Sequence, residues 1–301
     1  MGRVYDEVAG LIVNSVSIGG VSRIETSQSH RNNVESKGDG DAGAAEVDQA
    51  GQIVDFSFAT EDALKLIDLL NATPASAEWF GHESGAATYA KGSLVNPVCH
   101  SGQFNAALGS YATIAVNGTC KFPNAAATFD DVEGFLGGQS APTQTYAGRQ
   151  WQPGDAVHNT LTALHVQSLS FNISPREVLR DCDAGDMGMT AVDLAPWNVV
   201  GVELAVRDTT QQTGPPTHDI GTALMKNGVQ DLVVPLIGVG STANKTLTLR
   251  NCRFRSKRRT GGNGWTGFAL SAVLGWADPN DPWTKRTLND GTPANRLIDF
   301  A

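Results

Sequence analysis

The sequence predicts a mainly-β protein made of two tandem β-sandwich or half-barrel modules, each with a short flanking helix. Three observations predict it. Asn14-Ser15-Val16-Ser17-Ile18 alternates as a half-buried strand, and Gln167-Ser168-Leu169-Ser170-Phe171 repeats that alternation 153 residues later (167 − 14). Each run leads through a polar, Asp/Gly-rich excursion to a second alternating strand, Val54 to Phe58 or Val202 to Val206, and then to a short helical stretch, Glu61 to Leu70 or Asp219 to Met225. Finally, 33 glycines and 13 prolines, set among Ser/Thr/Asn clusters, punctuate many short runs with turns.

With 301 residues each half can bury its own core, and the boundary is placed near Gly154, giving modules over 1–154 and 155–301. In the first half, strand signals run from about Gly10 to Ile24 and from Gln52 to Ala59, and the polar segment between them, Glu25 to Ala50 with its Gly38-Asp39-Gly40-Asp41-Ala42-Gly43, is expected to be a long mobile loop. Thr60 offers a capping hydroxyl to the next helix, whose Ala63, Leu66, Ile67 and Leu70 form one apolar stripe. Ala86 to Val98, Gln103 to Leu108 and Tyr111 to Phe122 read as strands, and the Gly/Pro-rich stretch from Pro123 to Val157 as a linker insertion. In the second half Thr162 to Ser174 reads as a strand, Asp181 to Pro196 as the matching excursion and Trp197 to Arg207 as a strand. His218 to Asn227 is a helix stopped at Gly228. Leu232 to Val239, Lys245 to Ser256 and Trp265 to Trp276 complete the strands, the last two around a hairpin turn at 261–264; the tail from Pro279 is expected to be an irregular arm that docks on a neighbour.

A chain with 41% hydrophobic and 18% charged residues is expected to be globular, and no run approaches the roughly 20 apolar residues of a membrane span. Met1 to Glu7 carries acids where a signal peptide carries positive charge. The four cysteines lack metal-ligand spacing, so free thiols are expected, and the four N-x-[ST] matches are discounted for want of a secretory route. A net charge of −9 argues against a general DNA-binding surface.

No catalytic, cofactor-binding or metal-binding residue is assigned, and an enzyme is not expected. Gly81-His82-Glu83-Ser84-Gly85 places its serine one position late for a nucleophile elbow, and His82-Glu83 lacks the second histidine of a zinc helix. The carboxylates Asp39/Asp41 and Asp181/Asp183 do not continue as a calcium loop, and Asx turns account for them. One local charge asymmetry stands out: Arg250, Arg253, Arg255, Lys257, Arg258 and Arg259. Alternation puts Arg253 and Arg255 on one face, opposite Cys252 and Phe254. The run is a solvated hairpin, or a nucleic-acid patch, which the lack of interleaved aromatics disfavours, or a subunit contact in which Arg253, Arg255, Arg258 and Arg259 meet an acidic surface of a neighbour, such as Asp39, Asp41, Asp181 and Asp183.

Two halves of the same element order, closed by Leu247-Thr248-Leu249-Arg250-Asn251-Cys252-Arg253-Phe254, a Gly-rich turn and Trp265-Thr266-Gly267-Phe268-Ala269-Leu270-Ser271-Ala272, resemble the tail tube (major tail) proteins of long-tailed bacteriophages. That resemblance implies a structural virion protein, made in the host cytoplasm and located in the tail. It implies self-association into stacked rings, contact with other tail proteins, and a lumen through which genomic DNA passes without specific binding. A doubled module implies trimers with pseudo-sixfold symmetry, loops near 25–50 and 175–196 that reach the adjacent ring, and an acidic lumen. The competing expectation is a head-decoration or carbohydrate-binding β-sandwich with an exposed aromatic platform.

Overall fold

The computed structural model describes residues 5–35, 46–62, 69–70, 76–83, 88–124, 126–140, 151–163, 165–173, 178–181, 191–194, 200–207, 220–240, 243–262, 265–275 and 296–301. It is mainly β. The first half holds β1 (Tyr5–Val13), β2 (Val16–Ile18), β3 (Val21–Glu35), β4 (Glu46–Thr60), β5 (Ser76–Glu83), β6 (Tyr89–Val95), β7 (Pro97–Ala107), β8 (Thr113–Cys120), the helical turn α1 (Phe129–Val132) and β9 (Glu133–Gln139). Next come β10 (Trp151–Pro153), β11 (Ala156–His158), β12 (Leu161–Ala163), β13 (Val166–Ile173), β14 (Val178–Asp181), β15 (Ala191–Leu194), β16 (Val200–Val206) and helix α2 (Ile220–Lys226). The chain closes with β17 (Gln230–Gly238), β18 (Lys245–Gly262), β19 (Trp265–Leu274) and β20 (Ile298–Phe300). Among the described residues no helix is long and apolar enough to cross a membrane.

Thirteen strands form one sheet, with the path β12-β11-β17-β18-β19-β16-β13-β7-β8-β4-β3 and with β10 and β20 alongside β17 and β18. A second sheet runs β2-β1-β5-β6-β9, and β14-β15 is a separate hairpin. Alternation explains the core. Leu169, Phe171 and Ile173 of β13, Val200, Val202, Leu204 and Val206 of β16, and Ile114 and Val116 of β8 point to one face and are buried.

One order of pairings occurs twice. In the second half β13 pairs β16, β16 pairs β19, β19 pairs the distal part of β18, and proximal β18 pairs β17. In the first half β3 pairs β4, β4 pairs β8, β8 pairs β7, and β6, continuous with β7 through Asn96, pairs β5. Irregularities recur at matching places. A register shift separates Val21/Arg23 against β4 and Val166/Ser168 against β16; another separates Cys99/Ser101 against β8 and Phe254/Ser256 against β19. Bulges bend a strand and sharpen its twist, so matching bulges give matching curvature. The turn between β6 and β7 is made by Asn96 (φ 49), and the bend within β18 by Asn251 (φ 52), two left-handed positions of the kind asparagine tolerates. Asn96 accepts from the Lys121 amide at 3.0 Å and donates Nδ2 to the Lys121 carbonyl at 3.3 Å. Asn251 makes the same two bonds to Gly275, at 3.1 and 2.9 Å.

Several sequence expectations change. Much of the segment expected to be a loop over 25–50 is strand, since β3 and β4 pair out to Glu35↔Glu46. Asn14 (φ 48) and Ser15 (φ 64) are the two left-handed residues of the tight β1-β2 turn, so Asn14 to Ile18 is not the counterpart of Gln167 to Phe171. By register, Ser22 to Thr26 of β3 holds that place, and Val202 to Val206 answers Phe56 to Thr60 rather than Val54 to Phe58. The segment expected to be a linker carries α1, β9, β10 and β11. Trp151 within it is buried, accepts from the Ala112 amide through its carbonyl at 2.8 Å and donates its indole N–H to the Ala243 carbonyl at 3.0 Å, which ties the two halves together. The end of the tail pairs within its own chain, as Leu247↔Phe300 and Leu249↔Ile298, and does not swing free. Thr60 does accept from the Asp62 amide at 3.0 Å, and Gly228 (φ 76) ends α2. Of the first helix, Leu69 and Leu70 are buried, while Ala63, Leu66 and Ile67 lie outside the described residues.

Candidate functional site: the open face of the long sheet

Eight strands, β18-β19-β16-β13-β7-β8-β4-β3, run side by side without a break across both halves. Directly opposed residues share a face. One row therefore reads Arg253, Val273, Gly201, Asn172, Gln103, Ala115, Ala59, Arg23 from edge to edge. A second reads Ser256, Ser271, Glu203, Ser170, Asn105, Thr113, and a third Arg258, Ala269, Ala205, Ser168, Ala107. These positions are half-buried or exposed, whereas the opposite face carries Phe254, Ala272, Val202, Phe171, Phe104 and Ile114, all buried.

The seam between the halves is a ladder without a register shift. β13 and β7 pair from Ser168↔Ala107 to Ile173↔Gly102, and the Leu108 amide extends the ladder to the Gln167 carbonyl at 2.8 Å. Beneath it Phe104 and Phe171 stack with ring centroids 4.9 Å apart and planes 13° apart. Burying each ring contributes on the order of 2 kcal/mol, so the two halves form one wall.

The open face is chemically quiet. In these three rows the apolar positions are alanine, glycine and one valine, and the rest are serine, asparagine, glutamine, threonine and a few charges; exposed Tyr111 borders the face beside Asn105 and Thr113. Acids (Glu25, Asp55, Glu203) and cations (Arg23, Arg253, Arg258) are interspersed, and Arg23 Nε lies 3.7 Å from Glu25 Oε1 at an exposed site where such a pair is weak. Three acids and three arginines thus balance in number among these open-face positions. Shallow depressions in its pleats, of about 520 Å³ beside Glu25, Ser57 and Asn117, 510 Å³ beside Asn105, Thr113 and Ser170, and 350 Å³ beside Glu203, Arg258 and Ser271, converge no catalytic set.

The basic run is divided by the fold. Cys252 and Phe254 are buried and Arg253 is exposed, as alternation requires, while Arg255 is exposed as the residue inserted at the bulge between Phe254 and Ser256. Arg258 stands in the open-face rows, and Arg259 is exposed opposite Phe268. Arg250 pairs Asp231 at 3.1 Å, and Lys257 donates to Thr222 at 2.6 Å and lies over the Phe268 ring, so neither belongs to a common patch. Asp39, Asp41 and Asp183 lie outside the described residues, and Asp181 ends β14 opposite Ala191.

Buried thiols are held protonated. Burial pushes Cys99 and Cys252 up to about 12, and burial followed by the charges of Glu133 and Asp55 raises Cys120 further. A thiol so shifted is neither nucleophile nor metal ligand at neutral pH. Among the described residues no His/Cys/Asp/Glu cluster could hold a metal ion. Sequence reading missed His158, fully buried under Phe254, with Nε2 on the Cys252 carbonyl at 3.1 Å and Nδ1 accepting from Asn227 at 3.0 Å. Nothing in its local pattern, Ala156-Val157-His158-Asn159, separates it from a surface histidine.

Compared with known proteins, the chain matches no family model and no curated relative.

Proposed function

We propose that this chain is a structural protein that closes into rings and stacks as a tube, the tail tube of a long-tailed bacteriophage virion, built from a module duplicated within the chain. The single observation that carries the reading is the eight-stranded wall with one packed face and one open face of small polar residues. The recurrence of strand order, both bulges and the asparagine bend supports a copied module. Two modules per chain let three chains supply six.

Three walls of eight strands give 24; at about 4.8 Å per strand and about 40° tilt they close at roughly 50 Å across the backbone, or roughly 40 Å inside the side chains. That width passes a DNA duplex. A lining of mostly small polar residues, with acids and arginines in equal number, offers little counterion release, so nucleic acid slides without being held. In this role the chain is made in the host cytoplasm, is no enzyme, and meets copies of itself and other tail proteins.

Negative-stain electron microscopy of the purified chain tests the reading. Annular particles that stack into tubes are expected; isolated monomers at every concentration would overturn it.

A further inference from the structure

A wall that closes on itself must join its two outer strands, and the seam inside the chain prescribes how. β7 and β13 meet there, and each has a counterpart at an outer edge. The pairings Pro97↔Cys120 and Cys252↔Leu274, with their matching bulges, place β7 residue n at β18 residue n + 155. Likewise Val21↔Thr60 and Val166↔Val206 place β13 residue n at β3 residue n − 145. The stretch of β7 used at the seam, Gly102–Ala107, therefore corresponds to Lys257–Gly262, and Ser168–Ile173 of β13 corresponds to Arg23–Gln28. Both counterparts lie at the limits of the wall. β3 ends the sheet path with β4 on one side, and β17 accompanies β18 only as far as Cys252, so among the described residues no strand besides β19 pairs with residues 257–262.

We infer that distal β18 of one copy pairs antiparallel with β3 of the next in the register of the internal seam: Lys257↔Gln28, Arg258↔Ser27, Arg259↔Thr26, Thr260↔Glu25, Gly261↔Ile24 and Gly262↔Arg23. The occupant of each edge is a second copy of this chain, and the inference rests on the ring reading above. A head-to-tail contact of two different edges propagates, and it closes where the rotation per chain divides the circle. Backbone pairing removes the exposed edges that otherwise template uncontrolled aggregation. Charge agrees. Arg258 sits opposite Ser27 and diagonal to Glu25, within reach of a long side chain, so its carboxylate partner is on β3 of the neighbour.

Disulfide trapping reads the register. On a Cys182→Ser background, Ser27→Cys/Arg258→Cys places directly opposed, exposed residues within bridging distance, whereas Glu25→Cys/Arg258→Cys sets the thiols on a diagonal of about 7–8 Å, beyond easy reach. Within one chain these positions lie seven strand spacings apart, about 34 Å, so any bridge is between chains. Oxidation of the assembled protein is expected to give a ladder of covalent oligomers for the first pair and little for the second. Mixing Ser27→Cys with Arg258→Cys single variants is expected to give dimers only. Rings by electron microscopy without a bridge at 27/258, or with a stronger bridge at 25/258, overturn the register and leave the tube reading standing. A chain that forms no rings before cysteines are introduced overturns both.

Discussion

Replacing Asn251 with alanine tests the bend on which the shape of the wall depends. Asn251 is buried and left-handed (φ 52); its amide Nδ2 donates to the Gly275 carbonyl at 2.9 Å, its own N–H donates to Asp231 Oδ1 at 3.1 Å, and its carbonyl accepts from Gly275 at 3.1 Å. Alanine keeps the backbone bonds, loses the side-chain bond at a net cost of about 1 kcal/mol, and adds about 1 kcal/mol for a methyl-bearing residue in the left-handed region, for about 2 kcal/mol in all. Glycine loses the same bond without the backbone strain and costs about 1 kcal/mol. Asn96→Ala meets the same geometry at a more exposed site with a longer bond, 3.3 Å, and costs nearer 1 kcal/mol. Urea unfolding followed by tryptophan fluorescence measures all three. The expected order of destabilisation is Asn251→Ala, then Asn251→Gly and Asn96→Ala. A glycine variant as damaging as alanine would refute the argument from backbone conformation.

Phe171→Ala, at the seam where both stacked rings are fully buried, is expected to cost about 3–5 kcal/mol in the same assay, and a loss below about 1 kcal/mol would mean that the halves are not packed as described. His158 gives a pH signature. Burial holds its pKa below the ordinary 6.5, so the folded chain refuses a proton that the unfolded chain accepts; its contribution is constant above about 6.5 and stability falls as pH drops below that value. His158→Gln is expected to flatten that decline, and parallel curves for the two proteins would contradict the assignment.

Much of the wall was legible because a strand's period is two. Leu169, Phe171 and Ile173 announced their inward face, as Cys252 and Phe254 did against Arg253. The open face could be read in the same way, from Gln103/Asn105/Ala107 and Gly201/Glu203/Ala205. What failed was phase between halves. A five-residue alternation fits many places, and Asn14 to Ile18 satisfied it while containing a turn whose left-handed residues leave no trace in hydropathy. Bulges were invisible for the same reason: Arg255 and His100 are inserted residues that look like ordinary strand positions until their partners are known. The stretch around Trp151 misled through its glycines and prolines, since Pro153 ends the short strand β10 against β17, where few ladder bonds are needed, and Gly154 just beyond it donates to the Pro235 carbonyl at 2.7 Å.

Native mass spectrometry of the purified protein tests the central claim most directly, because the proposed ring, with eight strands and two modules from each chain, has a definite stoichiometry. The smallest ring is expected at three times the 31.7 kDa chain, with larger species in multiples of three. Assemblies of six chains with no three-chain species at any concentration, or a single 31.7 kDa species throughout, would contradict it.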